Sequence, residues 1–170
     1  MYKKQKKSWK NNIIYIVFVV LLFAADQFSK VYFIQFFENN PAPEVMVNDF
    51  LNFVYLWNKG ISFGMFNNWE YSNLIFITVA TVITWYFMLL YFKESNLSIK
   101  ISYGFIIGGA LGNITDRIKY NAVYDFIDFH FREYHWPAFN LADAFITIGG
   151  FLLLLSLFSS RVKKNEANKI

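Results

Sequence analysis

Four long apolar runs alternate with polar segments along the chain. Residues 13–33, 74–92, 101–114 and 141–158 are each dominated by apolar side chains. About 20 helical residues at 1.5 Å each cross the hydrocarbon core of a bilayer. The pattern therefore predicts four membrane-spanning helices in a single domain covering residues 1–170. The first run holds Asp26 and Lys30 in its far half, and the second contains no charge or proline. In the third, Gly104, Gly108 and Gly112 fall four apart, which marks a face where another helix can approach closely. That helix is expected to break at the polar stretch Gly112-Asn113-Ile114-Thr115-Asp116-Arg117.

The connecting segments differ in character. Residues 34–73 mix Pro41, Pro43, Gly60 and Gly64 with short apolar-aromatic runs such as Phe50 to Trp57. They read as short strands or turns at a membrane surface. Residues 93–100 are a short polar turn. Residues 115–140 are polar and aromatic, and their periodicity does not choose between a short helix and strands. Lys3, Lys4, Lys6, Lys7 and Lys10 precede the first span, Lys93 and Lys100 flank the second connection, and Arg161, Lys163 and Lys164 follow the last span. Under the positive-inside rule both termini and the second connection are then cytoplasmic, with 34–73 and 115–140 extracytoplasmic. A lysine-rich start before an apolar run also resembles a signal peptide. No small-residue cleavage motif follows, however, and apolar sequence resumes through Val31 to Phe37, so a retained span is expected.

Composition agrees with this picture. The 170 residues are 56% hydrophobic and 22% aromatic, with mean hydropathy +0.30, which is too apolar for an ordinary soluble domain. The absence of cysteine excludes disulfides, thiolate catalysis and Cys-ligated zinc. The formal charge of +4 comes largely from the terminal lysines. Such clusters suit anionic headgroups, and no basic stripe or stacking motif favours nucleic acid.

The candidate chemistry lies between Gly108 and Asp143, where polar groups crowd the ends of two spans. Such groups are expensive in a membrane and mostly kept for function. A compact bundle can bring Asp125 and Asp143 to one depth. Two close carboxylates do not easily both ionise, and a shared proton gives one base and one acid. The base can activate water against a peptide carbonyl while the acid protonates the oxygen or the leaving amine. The plainer alternative is that each Asp caps a helix or pairs with a cation. Asp116 competes for membership of the pair, but its neighbour Arg117 argues for a role in holding the helix end. Asp26 and Lys30, spaced i, i+4, allow an intramembrane ion pair, with Arg117 as a further structural link. Asn58, Asn113 and Asn140 can orient a carboxylate or a substrate backbone, or act as turns and caps. His130 and His135 make only a weak case for a metal, which usually needs three protein ligands. Ser29, Ser62 and Ser72 lack a placed base. A proton-coupled transporter is the main alternative from another class, and it predicts polar groups spread through the depth of several spans.

Five blocks carry a family resemblance: Asp26-Gln27-Phe28-Ser29-Lys30; Asn58-Lys59-Gly60-Ile61-Ser62-Phe63-Gly64; Gly108 to Arg117; Val123-Tyr124-Asp125-Phe126-Ile127; and Pro137-Ala138-Phe139-Asn140-Leu141-Ala142-Asp143. In this order and spacing the chain resembles lipoprotein signal peptidase, signal peptidase II, an aspartyl endopeptidase of bacterial membranes. The resemblance implies an all-α membrane protein of four transmembrane helices. It also implies a small extracytoplasmic β-cradle after the first helix and a short extracytoplasmic connection between the third and fourth. It implies a catalytic dyad at Asp125 and Asp143, with Asp26, Lys30, Asn58, Gly60, Asn113, Asp116, Arg117 and Asn140 as supporting or substrate-binding positions. The implied substrates are diacylglyceryl-modified prolipoproteins, cut just before the lipidated cysteine. Membrane lipid is an implied partner and globomycin-type cyclic peptides are implied inhibitors. A monomer in the cytoplasmic (inner) membrane, active near the outer leaflet, is expected, with no cofactor, metal or nucleic acid. Asn58 to Gly64 resembles a flexible substrate-covering loop, although Ile61 and Ser62 replace the small alanines common there.

Overall fold

A computed structural model describes residues 9–40, 42–60 and 71–167. The elements run α1 (Trp9–Glu38), β1 (Glu44–Asn48), β2 (Leu51–Asn58), α2 (Ser72–Lys93), α3 (Leu97–Tyr120), β3 (Val123–Phe131), β4 (Tyr134–His135) and α4 (Leu141–Ala167). Among the described residues four helical stretches are long and apolar enough to cross a membrane: Ile13–Glu38, Ser72–Lys93, Leu97–Tyr120 and Leu141–Ser159. Their outer faces leave large apolar side chains such as Phe28, Leu74, Val82 and Phe158 exposed. In water such a surface would associate, whereas against lipid tails it is matched to its solvent.

Helix α3 is the centre of the bundle because its small residues let two other backbones come close. A Cβ at Gly104 would meet the Phe18 ring at 2.9 Å, one at Gly108 would meet Leu22 Cβ at 2.8 Å, and one at Gly112 would collide with the Asp26 carboxylate. These four-residue steps on both helices make α1 and α3 parallel neighbours. On another face α4 runs antiparallel: a Cβ at Gly109 would collide with the Ala142 carbonyl, and one at Gly149 would meet the Ser102 carbonyl oxygen at 2.7 Å. Close backbone approach of this kind replaces the hydrophobic drive that lipid does not supply. Helix α2 joins through the cluster of Tyr91, Ile99, Tyr103 and Ile107.

The structure corrects several expected boundaries. Helix α3 does not break at Gly112 to Arg117; it continues to Tyr120, where Asn121 at φ 55° closes it by donating its N–H to the Arg117 carbonyl. Its polar residues find partners on neighbouring elements, so they do not end the helix. The same helix starts at Leu97, with the Asn96 side chain accepting the N–H groups of Ser98 and Ile99. Lys100 is consequently no loop residue. It is 3% exposed, with its ammonium 4.1 Å from the Tyr15 ring centroid. Helix α1 continues to Glu38 instead of stopping near Phe33.

The connection after α3 is extended. Residues Val123–Phe131, rich in aromatic side chains, form β3, which is antiparallel to β2 through Asn52↔Asp128, Trp57↔Tyr124 and Asn58↔Val123. The two long connections thus share one four-stranded sheet, ordered β1-β2-β3-β4. Phe33 of α1 packs on both Phe53 and Phe126, each ring centroid 4.4 Å away, and so fixes the sheet to the end of the helix. Ile61 to Gly64, the part of the expected loop beyond Gly60, lie outside the described residues, as do Lys3 to Lys7 and Pro41.

Candidate active site

The N-terminus of α4 holds the first carboxylate in place. Asn140 Oδ1 accepts the Asp143 N–H at 3.0 Å, and Asp143 Oδ2 accepts the Asn140 N–H at 3.3 Å. This reciprocal arrangement is a capping box with Asp at its third helical position. A further terminal N–H, from Ala142, is taken by Asp26 Oδ1 at 2.9 Å. Capping and a place in the carboxylate pair are therefore compatible for Asp143, because its Oδ1 is turned to Asn113 Nδ2 at 2.7 Å.

Strand β3 brings in the second carboxylate, which is 2% exposed. Asp125 Oδ1 accepts from Asn140 Nδ2 at 2.7 Å, and its Oδ2 accepts from Asn58 Nδ2 at 3.0 Å. The Gly60 N–H occupies Asn58 Oδ1 at 3.0 Å, so the Asn58 amino group is the end left to face Asp125. Asn140 thus touches both carboxylates. Burial first, and then the charge of Asp143, push the Asp125 carboxyl up to about 7, against hydrogen bonds from Asn58 and Asn140 and the charge of Lys30. That is the pattern of two acids sharing a low-dielectric site.

Beneath the pair lies a buried ion cluster. Lys30 Nζ is 2.9 Å from Asp26 Oδ2 and 2.8 Å from Asp116 Oδ2, and all three side chains are at most 3% exposed. Gln27 Nε2 donates to Asp116 Oδ1 at 3.0 Å, and the Tyr124 N–H reaches Asp116 Oδ2 at 3.3 Å. The expected i, i+4 pair is present. The expected link through Arg117 is not, since Lys30 is the ion-pair partner of Asp116. Arg117 turns the other way, with Nη2 donating to the Gly60 carbonyl at 2.8 Å, Nη1 to Asn73 Oδ1 at 3.4 Å, and its guanidinium 4.7 Å from the Phe76 ring centroid. It ties the β2 exit to α2 and α3.

Asp125 and Asp143 open onto one cavity of about 820 Å³, where Asn58, Gly60, Asn113 and Arg117 supply polar lining and Phe129, Trp136, Phe139, Ile146 and Ile148 the apolar wall. A carboxylate pair beside an apolar slot suits a substrate with a peptide bond and a large greasy part. Of the ten positions singled out in the sequence, Asp26, Asp116 and Asn140 do not line this cavity, Asn140 standing behind the two carboxylates it joins. Lys30 reaches the cavity only through Asn113, at 3.0 Å from Asn113 Oδ1. His130 and His135 stack at 5.2 Å on the sheet, with His135 Nδ1 2.8 Å from Asp128 and His130 Nε2 3.2 Å from Asn52. Sequence reasoning missed Gln27, Asn73 and Phe76. Gln27 had a signal, being a polar side chain next to Asp26 inside a span; Asn73, at the mouth of an apolar run, had a fainter one.

The fold is that of known bacterial membrane enzymes. One, solved in meso at 2.3 Å resolution, superposes with a TM-score of 0.74 at 25% identity over 89% of this chain and 91% of its own. A second, solved at 1.9 Å, gives 0.70 at 27% identity over 85% and 92%. The chain belongs to the signal peptidase II family: residues 18–159 match the family described as signal peptidase (SPase) II. A protein called lipoprotein signal peptidase from Anaplasma marginale is 48% identical over 82% of this chain and 81% of its own. One of the same name from Rickettsia felis is 41% identical over 89% and 77%. The chain is thus a multi-pass membrane peptidase, and the transporter reading finds no support in these relatives.

Proposed function

We propose that this peptidase removes the signal peptide of prolipoproteins just before a diacylglyceryl-modified cysteine, using Asp125 and Asp143 as an aspartyl dyad. The observation that carries the reading is the meeting of both carboxylates, cross-linked by Asn140, at the polar end of an apolar cavity. The two carboxyls share one proton; with that proton on Asp125, Asp143 is the base. Asp143 takes a proton from water as the water oxygen attacks the scissile carbonyl carbon, and Asp125 gives its proton to the carbonyl oxygen. The resulting gem-diol collapses as one hydroxyl proton returns to Asp125 and Asp143 protonates the amine. The C–N bond breaks, releasing a carboxylic acid and the amino-terminal cysteine.

The supporting positions divide by what they touch. Asn58, Asn113 and Asn140 hold the carboxylates, Arg117 and Gly60 fix the strand exit beside the cavity, and Asp26, Lys30 and Asp116 brace α1 against α3 and α4. In the orientation read from the basic segments, both termini are cytoplasmic and the cavity lies near the outer leaflet of a cytoplasmic membrane. A lipid anchor in that leaflet delivers the peptide bond laterally, and its binding energy orients a bond that it does not itself touch. Globomycin-type cyclic peptides are expected to inhibit by occupying the same cavity. The test is a gel-shift assay in lipid with a diacylglyceryl-modified prolipoprotein and its unmodified precursor. Cleavage confined to the lipidated form is expected; equal cleavage of both, or of neither, would overturn the substrate assignment.

A further inference from the structure

We propose that Lys30 is a positioning residue for the carboxylate pair, acting through the orientation of the Asn113 carboxamide; the inference rests on the dyad reading above. An ammonium has three N–H donors and no acceptor. Those of Lys30 meet three oxygens: Asp26 Oδ2 at 2.9 Å, Asp116 Oδ2 at 2.8 Å and Asn113 Oδ1 at 3.0 Å. The first two are an ion cluster that packing alone would explain. The third is not, because it reaches out of the cluster to the side chain that holds Asp143.

A carboxamide can be placed either way round in the same volume, and its neighbours decide which. Asn113 Oδ1 receives Lys30 Nζ and, at 3.2 Å, Asn140 Nδ2. Both neighbours are donors, so the flipped amide would set its own amino group against an ammonium and another amino group. The observed orientation sends Asn113 Nδ2 to Asp143 Oδ1 at 2.7 Å. Asn140 Nδ2 in turn reaches Asp125 Oδ1, so the route from Lys30 ends on both carboxylates. One cation on α1 thereby sets hydrogen bonds made by residues of α3, β3 and α4.

The charged groups around Lys30 are Asp26 on its own helix, Asp116 and Arg117 on α3, Asp125 on β3 and Asp143 on α4. The charge of Lys30 lowers the Asp125 carboxyl. Its loss therefore moves the alkaline limb of the pH–rate profile, on which Asp125 gives up its proton, to higher pH, a change that a merely structural lysine does not produce.

The test compares wild type, Lys30→Met, Lys30→Gln, Lys30→Met/Asp116→Asn, Asn113→Ala and Asn113→Ala/Lys30→Met in the full chain in lipid. Cleavage of a diacylglyceryl-modified prolipoprotein is measured, with thermal unfolding as the fold control. The charge-compensated double variant keeps one net negative charge in the cluster and is expected to fold. Its kcat should fall roughly 10- to 100-fold, as for loss of a partner that orients a functional group through one hydrogen bond, with KM within about threefold and the alkaline limb shifted upward. Lys30→Gln, which can still donate to Asn113, should retain more turnover than Lys30→Met. In the Asn113→Ala background, loss of Lys30 should cost little more, because both act on one route. Additive losses that are uniform across pH would overturn the proposal, as would failure of Lys30→Gln and the double variant alike to fold. No cleavage by folded wild type would instead overturn the function on which the proposal stands.

Discussion

Replacing Asp125 by Asn should abolish turnover and yet make the protein relatively more stable as pH rises. Burial and the Asp143 charge hold the Asp125 carboxyl at about 7 in the folded chain, against 3.8 for an unperturbed aspartate. Between these values the folded protein keeps a proton that the unfolded chain has released. Folding then takes up a proton, and stability falls with pH by about 1.4 kcal/mol per unit. The advantage of the raised group is complete below pH 4 and gone above pH 7. Across pH 5 to 8 the wild type should lose about 3 kcal/mol through this group, a shift of roughly 5–10 °C for a chain of this size. The carboxamide that Asp125→Asn introduces would not titrate. It can also accept from only one of Asn58 and Asn140 without setting its own amino group against the other, a cost of about 1–3 kcal/mol that does not depend on pH. The assay is thermal unfolding of both proteins in the same detergent at pH 5, 6, 7 and 8. The difference in midpoint, variant minus wild type, should climb through pH 7 and then level off. A difference that stays flat across this range would refute the argument that Asp125 is buried beside a second carboxylate.

Other perturbations follow from the same geometry. Gly112→Ala sets a Cβ into the Asp26 carboxylate, and an overpacked contact of this kind should cost about 1–3 kcal/mol in unfolding; Gly150→Ala, whose Cβ meets nothing within 4 Å, should leave the midpoint unchanged. Asn140→Ala removes the carboxamide that donates to the Asp125 carboxylate and accepts the Asp143 N–H and should lower kcat by about 10²–10³ in a steady-state cleavage assay. Phe33→Ala empties the space between Phe53 and Phe126 and should destabilise by about 3–5 kcal/mol, seen as a lowered unfolding midpoint. Arg117→Lys keeps the charge but loses the planar fork that spans Gly60 and Asn73, and kinetics should show a raised KM with a smaller fall in kcat.

The spans were legible because each is an apolar run of sufficient length, and the glycine spacing told which face of α3 would meet another helix. The end of α3 was not. Asn113, Asp116 and Arg117 look like helix terminators when counted as polar residues; what keeps them helical is Lys30, Asp143 and Asn73, which stand 83, 30 and 44 residues away in the chain. Strand β3 was ambiguous for the same reason. Its partner β2 lies before α2, and only the pairing of Asn52 with Asp128 and Asn58 with Val123 settles a pattern that does not decide alone. At the site, the sequence placed Asp125 and Asp143 near one depth by position along the chain, and the structure adds how they are held, through Asn140, Asn58 and Asn113. The partner of Asp116 was misjudged because adjacency in sequence favoured Arg117. Successive helical residues point about 100° apart, so Asp116 faces α1 while Arg117 faces α2.

The most direct measurement of the central claim is cleavage of a diacylglyceryl-modified prolipoprotein by purified wild type, Asp125→Asn, Asp143→Asn and Asp116→Asn, each confirmed to be folded. The account predicts no product with either dyad variant and a reduced but measurable rate with Asp116→Asn, whose carboxylate braces the bundle without lining the cavity. Turnover retained in Asp125→Asn or Asp143→Asn, with loss in Asp116→Asn, would contradict it and move the chemistry to the ion cluster on α1 and α3.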